Sequence, residues 1–237
     1  MSRRKRLRIF AGPNGSGKSS LKKIVESIVN IGVYVNADDI LSGFRQSGRI
    51  EFSDYSLTVQ EDDFNEAYKR WSIKTDSNLW RFENNGITAI DKLIVEDYFV
   101  SFVADFIRNS LLNQVEVFSF ETVMSHDSKL EFIRRAKESG YKVYLYFVSL
   151  PDPELNVRRV ESRKAQGGHD VERSKIISRY YRTMGYLCDA VKLADSVYFF
   201  DNQASEPNLF AHKENGRLIT DSVYVPSWYK EYVLDKI

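Results

Sequence analysis

The feature that most constrains this chain is the octet GPNGSGKS at residues 12–19, which matches the pattern G-x-x-x-x-G-K-S in full. An apolar run, LRIFA at 7–11, precedes it, and apolar residues at helical spacing follow it over 20–30. A strand, a glycine-rich turn and a helix start in this order form the context in which the motif binds phosphate. A turn that merely begins a helix is the alternative. The order favours an α/β fold built around this turn.

The chemistry of the octet predicts a nucleoside triphosphate bound with Mg²⁺. Its glycines let backbone N–H groups close around the phosphates, and the helix N-terminus adds its dipole. Lys18 adds a positive charge, and the Ser19 hydroxyl is placed to hold Mg²⁺. The predicted nucleotide-binding residues of this segment are Gly12, Pro13, Asn14, Gly15, Ser16, Gly17, Lys18, Ser19 and Ser20.

Bulk composition limits the classes of protein to which the chain can belong. Its 237 residues suit a single domain with an insertion at about 40–95 and a hairpin plus helix at about 205–237. A formal net charge of +1 disfavours a dedicated nucleic-acid surface, and the basic run at 2–6 is interpreted as a solvated leader. The single Cys188 excludes an internal disulfide. We find no membrane-spanning run and expect the chain to be cytoplasmic.

Predicted strands and helices alternate along most of the chain. The later strands are predicted at 33–35, 115–120, 142–150 and 196–200. The later helices are predicted at 64–73, 96–112, 127–139, 153–166, 174–193 and 227–236. The Asn-Gly pair at 215–216 predicts a C-terminal β-hairpin. We therefore predict a three-layer P-loop NTPase fold of the nucleotide-kinase kind, with a parallel central sheet, a lid segment and the site at the carboxyl ends of the strands.

Two carboxylates, Asp38 and Asp39, follow the strand predicted at 33–35. A carboxylate at that strand end can accept a proton from an attacking hydroxyl or hold the Mg²⁺ shell through water. An aspartate that caps the next helix is the alternative. The position favours a functional role for at least one of the pair.

Polar pairs also end two later strands. Glu121 and Thr122 follow the strand at 115–120, which suggests a place in the acceptor crevice or the metal shell, with a plain turn as the alternative. Asp201 and Asn202 follow the strand at 196–200. They could contact the nucleotide base or form a simple turn.

Arg159 and Arg163 lie four residues apart on a predicted helix, so both guanidinium groups are on one face. Guanidinium forks match phosphate oxygens, and phosphoryl transfer needs positive charge around the moving group. The following Gly167-Gly168 pair predicts a hinge, and the segment is interpreted as a lid over the nucleotide. A solvated charged helix is the alternative. His169 is a candidate phosphate or substrate contact, although a lone histidine is more often structural.

Assembled in order, these motifs resemble the zeta-toxin family of P-loop kinases. The shared elements are GPNGSGKS at 12–19, Asn36-Ala37-Asp38, Phe120-Glu121-Thr122, Arg159-Val160-x-x-Arg163, Gly167-Gly168-His169-Asp170-Val171, Arg179-Tyr180 and Asp201-Asn202. They cover most of the chain from residue 8 to about 202. The run 40–86 and the C-terminal hairpin match nothing in the family pattern.

The resemblance implies a kinase that uses ATP and Mg²⁺ and phosphorylates a hydroxyl of a small molecule, which in toxins of this family is UDP-N-acetylglucosamine. By position, Asp38 is expected as general base and Lys18 as phosphate clamp. The other implied roles are transition-state arginines (Arg159, Arg163), metal ligands (Ser19, Glu121), acceptor binding (Asp38, Glu121, Thr122, His169) and adenine contacts (Asp201, Asn202).

Two alternatives stay open beside this resemblance. A nucleoside or nucleotide kinase would use the same fold on another acceptor. A nucleotide-regulated ATPase that binds a protein partner would lack a small acceptor, but no run of four apolar residues ending in Asp-Glu supports it. An antitoxin-like partner is not assumed.

Overall fold

The computed structural model of the chain describes residues 5–71, 80–90, 97–167, 171–220 and 223–237. They form two compact units, one of Met1–Ile31 with Glu121–Ile237 and one of Gly32–Phe120. The strands are β1 (Arg6–Ala11), β2 (Val33–Val35), β3 (Arg49–Glu51), β4 (Trp80–Glu83), β5 (Gly86–Ala89), β6 (Val117–Thr122), β7 (Lys142–Ser149), β8 (Ser196–Asp201), β9 (Asn208–Glu214) and β10 (Arg217–Thr220). The helices are α1 (Lys18–Glu26), α2 (Ala37–Ser47), α3 (Glu61–Arg70), α4 (Asp97–Gln114), α5 (Ser128–Glu138), α6 (Pro153–Ala165), α7 (Arg173–Leu193) and α8 (Ser227–Tyr232).

The sheet of the first unit is parallel at its centre and antiparallel at one side. β7 pairs in parallel with β1 and with β8, whereas β9 and β10 add antiparallel strands. The predicted parallel central sheet is confirmed, and the strands on this side are antiparallel because the six residues between β8 and β9 are too few for a parallel crossover. The predicted C-terminal hairpin is confirmed as β9 and β10. The register sets Ala11 beside Phe147 and Ser149 beside Asp201, so the parallel strands end at a common edge.

Apolar strand residues account for the core of the first unit. The apolar side chains of β1 and most of those of β7 are almost fully buried, and α1 and α5 pack against these strands. Phe199 of β8 meets Tyr229 of α8 at a ring-centroid distance of 4.7 Å. The helix predicted at 227–236 ends early, because Val233 leaves the helical conformation and a 3₁₀ turn follows at Leu234–Lys236.

The second unit holds most of the segment that sequence patterns could not assign. β2 pairs in parallel with β6, and β3, β5 and β4 form a separate antiparallel sheet. Its core is aromatic: the Phe64 ring lies 4.8 Å from the Trp80 ring and 4.9 Å from the Phe106 ring, centroid to centroid. The turn predicted at 84–86 joins β4 to β5, with Asn84 and Asn85 at positive φ. Among the described residues, no helix is long and apolar enough to cross a membrane.

Candidate active site

The glycine-rich loop over residues 12–17, the phosphate loop, leaves β1 in a tight bend that only glycine can make. A Cβ on Gly12 would lie 2.0 Å from the Val148 carbonyl oxygen, which is backbone and cannot move aside. The Gly12 N–H donates to the Thr122 carbonyl at 3.3 Å, and the Ser16 N–H donates to the Pro13 carbonyl at 3.2 Å. Gly17, with φ of 99°, is the left-handed residue from which α1 begins. The loop thus lies against the strand ends with its own internal hydrogen bond.

Lys18, Ser19 and Glu121 come together at the start of α1. The Lys18 Nζ donates to the Pro13 carbonyl at 3.0 Å and lies 3.8 Å from Glu121 Oε1. The Ser19 Oγ donates to Glu121 Oε2 at 3.0 Å. The Lys18 and Glu121 side chains are only 8% and 10% exposed, so a lysine charge compensates a nearly buried carboxylate. Hydroxyl and carboxylate oxygens are hard donors of the kind that Mg²⁺ accepts, so the two predicted metal ligands fit the ion chemically.

Two asparagine side chains contact the phosphate loop from other elements. Asn156 of α6 donates from Nδ2 to the Asn14 carbonyl at 2.6 Å. Asn202, directly after β8, donates from Nδ2 to the Ser16 carbonyl at 2.7 Å. Asn202 was predicted near adenine, and the contact described for its amide is with the loop itself. Asn156 was not singled out from the sequence. The available signal was its place next to Val157 on the buried face of the helix, where a side-chain amide needs a hydrogen-bond partner.

The two candidate arginines of α6 have different surroundings. Arg159 is half-buried and donates from one terminal nitrogen to the Asn202 carbonyl at 2.6 Å. Arg163, one turn further, is exposed. Gly167 follows the helix at φ of 84°, while the predicted hinge residue Gly168 and the candidate contact His169 lie outside the described residues.

A pocket of about 370 Å³ lies along α6 beside Asn202. Its walls are formed by Leu150, Leu155, Arg158, Arg159, Ser162 and Gln203. The Gln203 Nε2 donates to Asp201 Oδ2 at 3.2 Å, so Asp201, the first residue of the predicted adenine pair, orients a pocket wall. The two leucines give this pocket an apolar surface, and the other four residues bring the polar or charged groups that orient a ligand.

Thr122 is part of a turn that supports the site. Its hydroxyl accepts a hydrogen bond from the Met124 N–H at 3.0 Å. This bond agrees with the alternative in which the residues after the strand form a turn. Thr183 of α7 donates to the Val123 carbonyl at 2.7 Å. These bonds fix the backbone directly after Glu121.

Asp38 and Asp39 belong to the second unit and lie in the first turn of α2. The helix cap is Asn36, whose side chain accepts from the Asp38 N–H at 3.0 Å, so neither aspartate is needed for capping. Both aspartates are exposed, and the helix dipole favours negative charge at this end.

Burial raises the pKa of Tyr55 to about 12, and the charge of Asp39 adds to this rise. The role of Asp38 as general base stays a prediction.

Similarity to known sequences is confined to a short part of the chain. No protein-family model matches the chain. Over 63 residues it is 30% identical to an uncharacterized protein of Haemophilus influenzae, a stretch that covers 27% of this chain and 45% of that protein. The match therefore spans less than half of the relative.

Solved structures match nearly the whole chain. A chain of the AvrRxo1-ORF1:-ORF2 complex with ATP superposes with a TM-score of 0.58 at 15% identity, covering 98% of this chain and 64% of that chain. A chain of the PezAT chromosomal toxin-antitoxin system of Streptococcus pneumoniae gives a TM-score of 0.52 at 14% identity, covering 100% and 82%. This chain has their fold. The predicted α/β fold is therefore confirmed, and the likeness to these two proteins is one of fold.

Proposed function

We propose that this chain is an ATP- and Mg²⁺-dependent phosphotransferase that moves the γ-phosphoryl group to a hydroxyl of a small molecule. The observation that carries the proposal is the grouping of Lys18, Ser19 and Glu121 beside a glycine-bent loop. The neighbour solved with ATP adds support from the fold. The pocket beside Asn202 is the proposed place of the nucleotide base.

Each residue has a role in this proposal. Backbone N–H groups of the loop and the Lys18 ammonium group hold the phosphates. Ser19 and Glu121 hold Mg²⁺, which neutralises charge on the phosphates when it is bound. Lys18 now lies against the Pro13 carbonyl, and its flexible stem lets it turn to a phosphate oxygen instead. Asp38 accepts the proton of the attacking hydroxyl, and Arg163, exposed on α6, supplies positive charge.

The proposed acceptor is a UDP-amino sugar, which follows from the resemblance to zeta toxins. The assay is ADP release, coupled to detection of the phosphorylated product, with UDP-N-acetylglucosamine, nucleosides and nucleoside monophosphates offered in parallel. If only the nucleosides are phosphorylated, the acceptor is a nucleoside and not a UDP-amino sugar. Phosphate release with no phosphorylated product, stimulated by a protein partner, would favour the partner-binding ATPase and contradict the kinase.

Two variants test the assigned roles. Lys18→Met should lose nearly all triphosphate binding and transfer, because it removes the charge at the loop. Lys23→Met makes the same change at an exposed position of α1 and should leave activity intact. Asp38→Asn should keep ATP binding and lose transfer by roughly 10²–10⁴-fold, the range typical of general bases. Full transfer by Asp38→Asn would remove Asp38 from the base role.

A further inference from the structure

Two buried side-chain amides donate hydrogen bonds to backbone carbonyls of the phosphate loop that lie two residues apart. Asn156 donates to the carbonyl of Asn14, and Asn202 donates to the carbonyl of Ser16, at 2.6 and 2.7 Å. Asn156 is fully buried and Asn202 is 5% exposed. The donors come from α6 and from the end of β8, not from the strand or the helix that the loop connects.

The need for such donors follows from how a phosphate loop works. Its N–H groups must turn toward the anion, so neighbouring carbonyls turn away from it, toward protein. A buried carbonyl without a donor costs about 1–3 kcal/mol. That cost would favour a rotated loop in which these carbonyls face solvent and the N–H groups no longer point at the anion. The amides of Asn156 and Asn202 remove that cost for the orientation seen here.

Steric contacts act on the same two peptides. A Cβ on Gly15 would lie 2.7 Å from the Asn156 carbonyl oxygen. A Cβ on Gly17 would lie 2.1 Å from the Asn202 Nδ2. The asparagines therefore lie against the loop at its glycines, and the close approach needs residues without side chains there.

Asn202 also joins three elements through its backbone. Its N–H donates to the Ser149 carbonyl at 3.2 Å, at the end of β7. Its carbonyl accepts from Arg159 of α6 at 2.6 Å. The amide that holds the loop is thus itself held by a strand end and a helix, which leaves it little freedom to turn.

We infer that Asn156 and Asn202 are positioning residues that keep the phosphate loop in its nucleotide-binding shape before ATP arrives. The inference rests on the proposed function. When only a fraction of molecules has the competent loop, the apparent Kd rises in inverse proportion to that fraction. The two amides therefore act on ATP binding, while the chemical step at saturating ATP depends on other groups.

The test uses Asn202→Asp and Asn156→Asp in the full chain. An ionised carboxylate cannot donate to a carbonyl, whereas a protonated carboxyl group of the same shape can, and burial beside a carbonyl raises the pKa of that group. At pH 8 we expect each variant to bind MgATP roughly tenfold more weakly than wild type, with kcat changed far less than KM. At pH 5.5 the ratio of variant to wild-type Kd should fall toward one. Isothermal titration calorimetry at both pH values measures it.

Asn215→Asp is the matched control, because Asn215 is exposed between β9 and β10 and receives the same charge. It should bind MgATP like wild type at both pH values. The inference is overturned if the variants bind MgATP at pH 8 with the Kd of wild type, or if their loss of affinity is the same at pH 5.5. Unfolding of both variants without nucleotide would also overturn it. The two asparagines lie on different elements, so one folded variant suffices. Wild-type protein that fails to bind ATP would refute the proposed function instead.

Discussion

Gly17→Ala is the substitution for which the structure gives the most specific expectation. Gly17 has φ of 99°, and a Cβ there would lie 2.1 Å from the Asn202 Nδ2 and 3.2 Å from its Cγ. Ordinary contact begins at about 3.4 Å, so the Asn202 side chain must turn away and lose its bond to the Ser16 carbonyl. The substitution therefore combines backbone strain with the loss of one buried hydrogen bond.

The two contributions can be separated with a second glycine. Gly140 has φ of 85° and nothing within 4 Å of an added Cβ, so Gly140→Ala carries the strain without the overlap. A left-handed alanine costs roughly 1–2 kcal/mol, and a buried carbonyl and amide that lose each other cost about 1–3 kcal/mol more. We expect Gly140→Ala to lower the free energy of unfolding by about 1–2 kcal/mol and Gly17→Ala by about 2–5 kcal/mol.

Urea unfolding of both variants beside wild type measures this difference, and calorimetry measures MgATP binding. Gly17→Ala should also bind ATP more weakly, whereas Gly140→Ala should bind it normally because it lies beyond α5. The double variant Gly17→Ala with Asn202→Ala removes the amide that the new methyl group meets. Its loss should be smaller than the sum of the two single losses, which a double-mutant cycle detects.

Equal losses of stability in Gly17→Ala and Gly140→Ala, together with strictly additive behaviour of the double variant, would refute the reasoning. Strain alone would then account for the effect, and the close contact between Gly17 and Asn202 would have no energetic weight.

Two further outcomes are expected from the charges of the first unit. Glu121→Gln keeps the shape of the Ser19 partner but removes its charge, so half-maximal activity should need more Mg²⁺; an unchanged Mg²⁺ midpoint would contradict the metal role. Burial opposes ionisation of Asp195, but hydrogen bonds from Lys137 and the Val143 N–H lower its pKa below the ordinary value. The ionised Asp195 carboxylate therefore stabilises the fold fully above its unfolded pKa of about 3.9, and this stabilisation is lost as pH falls through the lower folded pKa. Asp195→Asn removes this group, so the urea midpoint of the variant should fall less steeply at acid pH than that of wild type. Equal acid slopes in variant and wild type would contradict it.

Local patterns predicted most of the first unit. The runs at 7–11 and 142–150 are apolar because they are interior strands, and they appear as β1 and β7 within one residue of their predicted bounds. The octet at 12–19 needs only adjacent residues to bend, so its loop was predictable. Ser19 was predicted as a Mg²⁺ ligand, and its bond to a carboxylate comes from the tertiary structure. The identity of that carboxylate depends on strand order, and Glu121 was predicted from its place at a strand end.

The second unit shows where local patterns fail. β3, β4 and β5 are three or four residues long, and although the predicted turn joins β4 to β5, β3 pairs with β5 across some forty residues, which no period in the sequence reveals. α2 was not predicted, although its cap Asn36 stands directly before it. Its apolar residues are few, and their spacing has meaning only once a core exists to receive them.

The sequence by itself determined that a glycine-rich loop with a lysine and a hydroxyl lies between a buried strand and a helix, because all of these are supplied within eight consecutive residues. Only the tertiary structure decided what holds that loop. Asn156 and Asn202 are 142 and 186 residues away from the carbonyls that they bind, and such a contact follows from the order of strands and the packing of α6 rather than from any spacing along the chain.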